Sequence, residues 1–358
     1  MKIGIPRAFL YHKYFPMWDM FFRELGVKVV VSPDTNNEIM QQGVMNTIDE
    51  ACLPLKVYLG HVIKLTKEKV DFIFIPRFIS VEKHRYLCPK FLGLPDLIRN
   101  TTQTFNLPEI LDPTINMRIT KKEFYLEVLK LASRLNKNPV RIYNAVSKAF
   151  KANENYKQLV LAGYSYTEAL KIYQKQSATF ADTNFLENSQ QQATNKPFKI
   201  AVISHSYILH DPHMSMNLLN KLDEMGCEIK TPEMLEGDVI DKSLENLQKD
   251  MFWSLNREIM GASFYHLAKK DIDGMIILNA FACGPDAITK ELIERLCKRE
   301  SEIPMLSLTI DEHTGEAGFV TRLEAFIDMI KRKDKGGYKD ESNLSTHGEL
   351  LCRDKSVV

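Results

Sequence analysis

The chain has 358 residues, with 47 Lys+Arg against 46 Asp+Glu and a formal charge of +1, which gives no support to a general polyanion binder, so no nucleic-acid partner is expected. An apolar share of 44% at near-zero net charge argues against global disorder, and the length suggests two domains, perhaps three short ones. The longest apolar runs, such as Phe72–Pro76 and Met275–Leu278, fall far short of the about 20 residues that cross a bilayer, and the N-terminal MKIGIPRAFLYHKYFP has no apolar h-region or cleavage site, so a cytoplasmic location without a membrane partner is expected.

In chain order, Lys2–Pro6 (KIGIP) is a short strand candidate. Tyr14–Leu25 follows with apolar Phe15, Trp18, Phe21, Phe22 and Leu25, the mixed three- and four-residue spacing of a half-buried helix. Gly26 ends it, and Val27–Val31 is a β-branched strand, so the segment reads as a β-α-β unit and favours a parallel sheet. Asn36–Ala51 and residues 57–69 read as two more helices before the strand Phe72–Ile75. Lys121–Gln176 is rich in helix formers, and residues 182–196 read as a polar linker. The grammar then repeats: strand Phe198–Ile203, helix His213–Met225 ended by Gly226, strand Cys227–Lys230, and strand Asp273–Leu278. ELGVKVVVSP parallels EMGCEIKTPE, and VDFIFIP parallels IDGMIILN. The expected fold is α/β: two similar parallel-sheet domains, 1–112 and 197–332, with a helical segment and linker at 113–196 and a polar tail at 333–358.

Six cysteines occur, none in a C-x-x-C spacing, so zinc ribbons and ferredoxin-type runs are excluded and any cysteine site is assembled from distant loops. Cys52 (DEACLPLK), Cys88 (YLCPKFLGLPD) and Cys283 (NAFACGPDA) each have Pro or Gly within two residues, and the last two follow strands. Ligands of open α/β sheets bind beyond the C-terminal ends of strands. Three thiolates from separate loops can bind three irons of a cubane and leave the fourth open. The plain alternative is that a free Cys is a small buried hydrophobe, and Cys227, Cys297 and Cys352 are read that way.

The phrases IGIPRAFLYHKYFPMW, DEACLPLKVYLGH, IFIPRFISVEK, YLCPKFLGLPD, NAFACGPDA and DEHTGEAGFVTRLEAF resemble the 2-hydroxyacyl-CoA dehydratase and benzoyl-CoA reductase superfamily. The nearest branch is that of stand-alone proteins related to the acyl-CoA dehydratase activase, close to the double-cubane cluster proteins. The resemblance covers residues 1–100 and 198–330, is weak over the helical middle and is absent from the tail. It implies a cluster held by Cys52, Cys88 and Cys283, either a 4Fe–4S cluster or a double-cubane 8Fe–9S cluster shared across a dimer. It also implies an ATP-dependent activase as electron donor and a homodimer, or a heterodimer with a homologous subunit. The chain has no G-x-x-x-x-G-K-[ST] loop, so ATP hydrolysis is expected in the partner, and nothing in it marks a CoA site.

Around the cluster, Arg7 and Arg77 end strands and would raise its potential, with Arg77 placed among the cofactor-binding residues. His205 and Ser206 match Arg7 in the second unit. Glu312 and His313, in TIDEHTGEAG, are the candidates for moving protons, and together with Arg7 they make up the expected catalytic set. Their plain alternative is structural ion pairing, which is favoured for Lys56. In LHDPHM, Asp211 is expected to cap a helix start rather than bind metal with His210 and His213. Three functions remain in competition: an iron–sulfur redox enzyme of dehydratase-like or double-cubane reductase type, a non-catalytic cluster scaffold or partner subunit, and a two-lobed small-molecule binder with structural cysteines.

Overall fold

Short β-branched runs alternate with helices along the chain, and each run becomes a strand with a parallel partner. The computed structural model describes residues 1–102, 105–179, 196–247 and 249–334. Strand β1 (Lys2–Ile5) leads through Phe9, at φ 50°, into helix α1 (Tyr11–Glu24). β2 (Lys28–Val31), α2 (Asn37–Met45), α3 (Leu53–Thr66), β3 (Phe72–Phe74), β4 (Arg77–Ser80), α4 (Pro89–Leu92), α5 (Leu94–Thr101), β5 (Glu109–Leu111) and β6 (Thr114–Asn116) complete the first lobe. Helices α6 (Lys121–Leu135), α7 (Pro139–Leu161) and α8 (Tyr166–Thr179) follow. The second lobe holds β7 (Phe198–Ile203), α9 (Ser206–Leu209), α10 (Leu218–Glu224), β8 (Cys227–Lys230), α11 (Gly237–Ser243), α12 (Ser254–Lys269), β9 (Gly274–Ala280), α13 (Gly284–Glu300), β10 (Met305–Ile310) and α14 (Glu316–Asp334).

The two main sheets have four parallel strands each, ordered β2-β1-β3-β5 and, read from the matching end, β8-β7-β9-β10. The order is the same in both lobes. So are two details: Gly26 and Gly226 both turn into the second strand at φ 81°, and the first strands are pinned alike. The backbone N–H of Lys2 donates to the Asp71 carboxylate at 2.7 Å, and that of Lys199 donates to Asp273 at 2.7 Å. The expected α/β fold with two similar parallel-sheet lobes is therefore what the chain adopts. Counting from Lys2 and Lys199, Arg7 matches Ser204, one residue before His205.

Helix α3 positions the first cysteine. It is buried on nearly every side, by Leu53, Leu55, Val57, Leu59, Val62, Ile63 and Leu65, and α2 crosses it at backbone contact. A Cβ on Gly60 would sit 2.0 Å from the Ile39 carbonyl oxygen, and one on Gly43 would sit 1.9 Å from that of Lys56, so the crossing requires glycine on both helices. In the helical stretch, α7 and α8 pack on α1: Tyr156 donates to the His12 carbonyl at 2.8 Å, and Tyr173 donates to the Asp19 carboxylate at 2.9 Å.

Several boundaries differ from expectation. The helix expected over 36–51 stops at Met45, and the next begins at Leu53 rather than 57, because Pro54 lies in its first turn, where a missing N–H costs nothing. The regular helix expected from His213 begins only at Leu218, since Met216 and Asn217 are left-handed. Asp211 does cap this turn, accepting from the N–H groups of His213 at 3.0 Å and Met214 at 3.1 Å. Residues 182–195 of the expected linker and 335–358 of the expected tail lie outside the described residues; within the tail span, Lys333 and Asp334 continue α14. No helix among the described residues is long and apolar enough to cross a membrane.

Candidate functional site

Cys52, Cys88 and Cys283 share one local design. Each is the residue that precedes a helix, α3, α4 and α13 respectively, and each helix has Pro in its first turn. That position ordinarily goes to Ser, Thr, Asp or Asn, whose oxygen accepts a free N–H of the first turn. Here a sulfur stands there three times. The carbonyls of the same residues start the helices, accepting from Leu55 at 2.9 Å, Phe91 at 2.9 Å and Ala287 at 3.1 Å. Ala282, at φ 61°, makes the left-handed turn that brings β9 into Cys283. Helix N-termini carry partial positive charge, but burial outweighs it at Cys88 and Cys283 and keeps these groups as thiols.

Cys52 acts electrostatically on both of the other sulfurs. Burial pushes the Cys88 thiol up, and the Cys52 sulfur adds to this. Burial pushes Cys283 up further, followed by the Asp286 carboxylate, with Cys52 again contributing. The Tyr207 hydroxyl is raised by burial, then by Asp286, Cys283, Cys52 and Cys88. Phe9 stacks on Tyr58 of α3 at 5.2 Å, meets Phe91 of α4 at 4.5 Å and meets the Tyr207 edge at 5.5 Å. These four buried aromatics link the helices that carry Cys52 and Cys88 to α9.

A buried polar network adjoins Cys283. His205 and Asp286 are bonded at 2.7 Å through Nε2 and Oδ1, and Asn256 of α12 donates to the same oxygen at 2.8 Å and approaches Thr289 at 3.1 Å. Burial alone would raise the Asp286 carboxyl, but His205 and the hydrogen bonds hold it below the usual range. Ligand atoms of His205, Cys283 and Asp286 all lie within 4.8 Å of one another.

The remaining expected site residues are engaged elsewhere. Arg7 pairs with Asp34 and lies 5.6 Å over the Tyr11 ring. Arg77 grips Asp96 through both guanidinium nitrogens, at 2.7 and 2.9 Å, reaches Asp112 at 3.7 Å and donates to the Leu92 carbonyl at 2.8 Å. Glu312 pairs with Lys56 at 2.5 Å; although burial pushes its carboxyl up, that ammonium holds it below the usual range. Lys56 is 2% exposed, one turn beyond Cys52 on α3, so this pair joins the lobes. His313 is exposed, with its backbone N–H on Asp311 at 2.9 Å. Sequence reasoning missed Asp286, Asn256 and Tyr207. Asp286 was visible only as an acidic residue in a first helical turn, which reads as ordinary dipole pairing. A groove of about 930 Å³ lies between α8 and the second lobe, lined by Lys171, His210, Thr231 and Tyr265, and none of the three cysteines borders it.

A second inter-lobe link carries a pH prediction. The Arg7 N–H donates to Ser32 Oγ at 2.8 Å, and Ser32 and Thr35 flank His61 at 2.9 Å on Nδ1 and Nε2. Thr35 donates to Asp211. One tautomer satisfies the chain: His61 neutral, with its proton on Nε2. Burial, then Arg7, lowers the His61 pKa to about 3, and His12 is lowered in the same direction, chiefly by burial. Above about pH 6.5 both folded and unfolded states hold neutral imidazole, and the stability is fully present. Below it only the unfolded chain gains the proton, so stability falls by up to about 1.4 kcal/mol per pH unit for each histidine. For His61 the loss runs down to about pH 3. Asp211, raised by burial, acts with the opposite sign. Denaturant midpoints at pH 7, 6 and 5 are expected to fall, and His61→Gln to fall less steeply; equal slopes would contradict this account.

The fold is that of a two-lobed parallel α/β protein in which three cysteines each precede a helix. The chain belongs to the family described as CoA enzyme activase uncharacterised domain (DUF2229), which matches residues 2–235. Cys52, Cys88 and His205 fall inside that stretch, and Cys283, Asp286 and Glu312 lie beyond it. No curated protein matches the chain. The family supports the activase-related part of the resemblance drawn from the sequence.

Proposed function

We propose that this chain is an iron–sulfur protein of the 2-hydroxyacyl-CoA dehydratase-like superfamily, near its double-cubane branch, that receives low-potential electrons from an ATP-hydrolysing activase and passes them to a small substrate. The observation that carries this reading is the repeated placement of Cys52, Cys88 and Cys283 as the residue before a helix, with Cys52 acting electrostatically on both of the others. The donor set fits the group: three thiols from separate loops, with backbone N–H groups of Lys90 and Asp286 at Cys88 and Cys283, as proteins use to hold a cluster and raise its potential. When bound, such a cluster supplies one-electron transfer. The chain's own residues ligate it through the three sulfurs, offset its negative charge with three helix termini, and exclude water with Phe9, Tyr58, Phe91 and Tyr207. Anaerobic purification with iron and sulfide counts, followed by Mössbauer spectroscopy, tests this; a colourless, iron-free protein from iron-replete cells would end it.

The electron donor has its own test. Transfer at a potential that common cellular donors reach poorly needs coupling to ATP hydrolysis, and the chain lacks the phosphate-binding glycine loop for it. Cluster bleaching is therefore expected with an activase homologue, a strong reductant and Mg-ATP together. Equal bleaching without ATP, or without the activase, would refute the assignment.

A further inference from the structure

Cys283 differs from the other two cysteines in what surrounds it. His205, Cys283 and Asp286 bring an imidazole, a thiol and a carboxylate from two loops and one first helical turn, with their ligand atoms within 4.8 Å of one another. His205 follows the C-terminal end of β7 and Cys283 that of β9, neighbouring strands in one sheet. His205 is 4% and Asp286 5% exposed, while Cys283 is half-buried, so the corner has two shielded ligands and one side open to solvent. Asn256 and His205 both bond Asp286 through Oδ1, and the Cys283 thiol hydrogen-bonds the same carboxylate, so the three candidate ligands already converge there. Thr289 braces Asn256 in turn.

We propose that His205, Cys283 and Asp286 form a site for one divalent transition-metal ion, taken as zinc, ferrous iron or cobalt rather than magnesium or calcium. The reasoning is the donor chemistry. Sulfur and imidazole select borderline-soft ions, whereas magnesium and calcium take oxygen shells. Tetrahedral ligands at metal distances of 2.0–2.3 Å lie about 3.5 Å apart, so a modest side-chain adjustment closes the observed spread onto one ion. Three protein ligands leave a fourth position for water or an exogenous donor, the arrangement of reactive rather than purely structural sites. Asn256 is a positioning residue, because it fixes the carboxylate. Binding is an exchange without redox change: the Cys283 S–H bond breaks, a sulfur–metal bond forms, and one proton leaves to solvent. The site shares Cys283 with the cluster reading but does not rest on it, since it needs neither Cys52 nor Cys88. Both occupants need the Cys283 sulfur, so the ion site is that of the chain without its cluster.

The test is anaerobic titration of the full chain, freed of metal and cluster, with cobalt(II). Saturation at one ion per chain is expected, with a near-ultraviolet sulfur-to-cobalt band, visible bands of tetrahedral intensity and release of one proton per ion. Magnesium is expected not to compete. His205→Ala is expected to weaken binding by at least about tenfold, and Asn256→Ala by about 10–100-fold with the sulfur band retained. Cys283→Ser removes the band, and Cys52→Ser with Cys88→Ser leaves it intact. Unchanged affinity in His205→Ala, or a band that survives Cys283→Ser, overturns the proposal, and His205→Ala alone decides it if the double variant does not fold. Iron and sulfide content judges the cluster reading separately, so either reading can fail alone.

Discussion

Replacing any one of Cys52, Cys88 or Cys283 with Ser is expected to cut the iron and sulfide content of anaerobically purified protein to a small fraction of the parent's, while Cys227→Ser, Cys297→Ser and Cys352→Ser leave it unchanged. A seryl oxygen matches the size of the thiol but not its softness or acidity, so it holds iron poorly. The first three cysteines each precede a helix, and Cys52 adds to the upward shift of both Cys88 and Cys283. The others have different surroundings. Cys227 is fully buried in β8, where it pairs with Phe198, and burial pushes its thiol up. The Cys297 thiol donates to the Ile303 carbonyl at 3.4 Å on the far part of α13. Cys352 lies outside the described residues. Iron lost from a variant of the second group, with the fold intact by circular dichroism, would mean that the ligand set is drawn wrongly.

The parts of this fold that could be read from the chain were those in which one local rule dominates. Val27–Val31 and Cys227–Lys230 sit between a helix-ending glycine and a Ser-Pro or Thr-Pro step, and both lobes repeat that punctuation. Strands β4, β5 and β6 escaped notice because three or four residues carry too little periodicity. Helix α12 escaped for the opposite reason. It buries Ser254, Asn256, Arg257 and Ser263 along with its apolar residues, so no polar face appears in its sequence. Those polar groups are affordable only through tertiary partners: Arg257 finds Asp241 and Asp250, and Asn256 finds Asp286. The same limit applied to the site. Cysteines beside Pro or Gly in loops can be picked out of the chain, whereas the pairing of Arg77 with Asp96, 19 residues on, cannot. The His205–Asp286 contact spans 81 residues and leaves no local trace.

The ion pair between Lys56 and Glu312 is expected to be among the most costly to break. Lys56 is 2% exposed, and besides Glu312 at 2.5 Å it meets the Asp49 carbonyl at 3.0 Å, which pins the loop leading into Cys52. Glu312→Ala strands this ammonium in the interior, which costs about 3–5 kcal/mol. Replacing both partners with apolar residues, Lys56→Met with Glu312→Leu, removes the stranded charge, so the double variant is expected to be more stable than Glu312→Ala alone. The pH dependence has a definite sign. The Glu312 carboxyl is held below its ordinary range, so its contribution is complete above the unfolded carboxylate pKa of about 4.3 and is lost as pH falls through the depressed folded value. The measurement also separates two roles for Glu312. A carboxylate kept ionised by a buried lysine braces the lobes around Cys52. A proton donor would lose turnover in Glu312→Gln while the denaturation midpoint held. A midpoint that drops in Glu312→Ala and recovers in the double variant assigns the bracing role, and an unchanged midpoint in Glu312→Ala removes it.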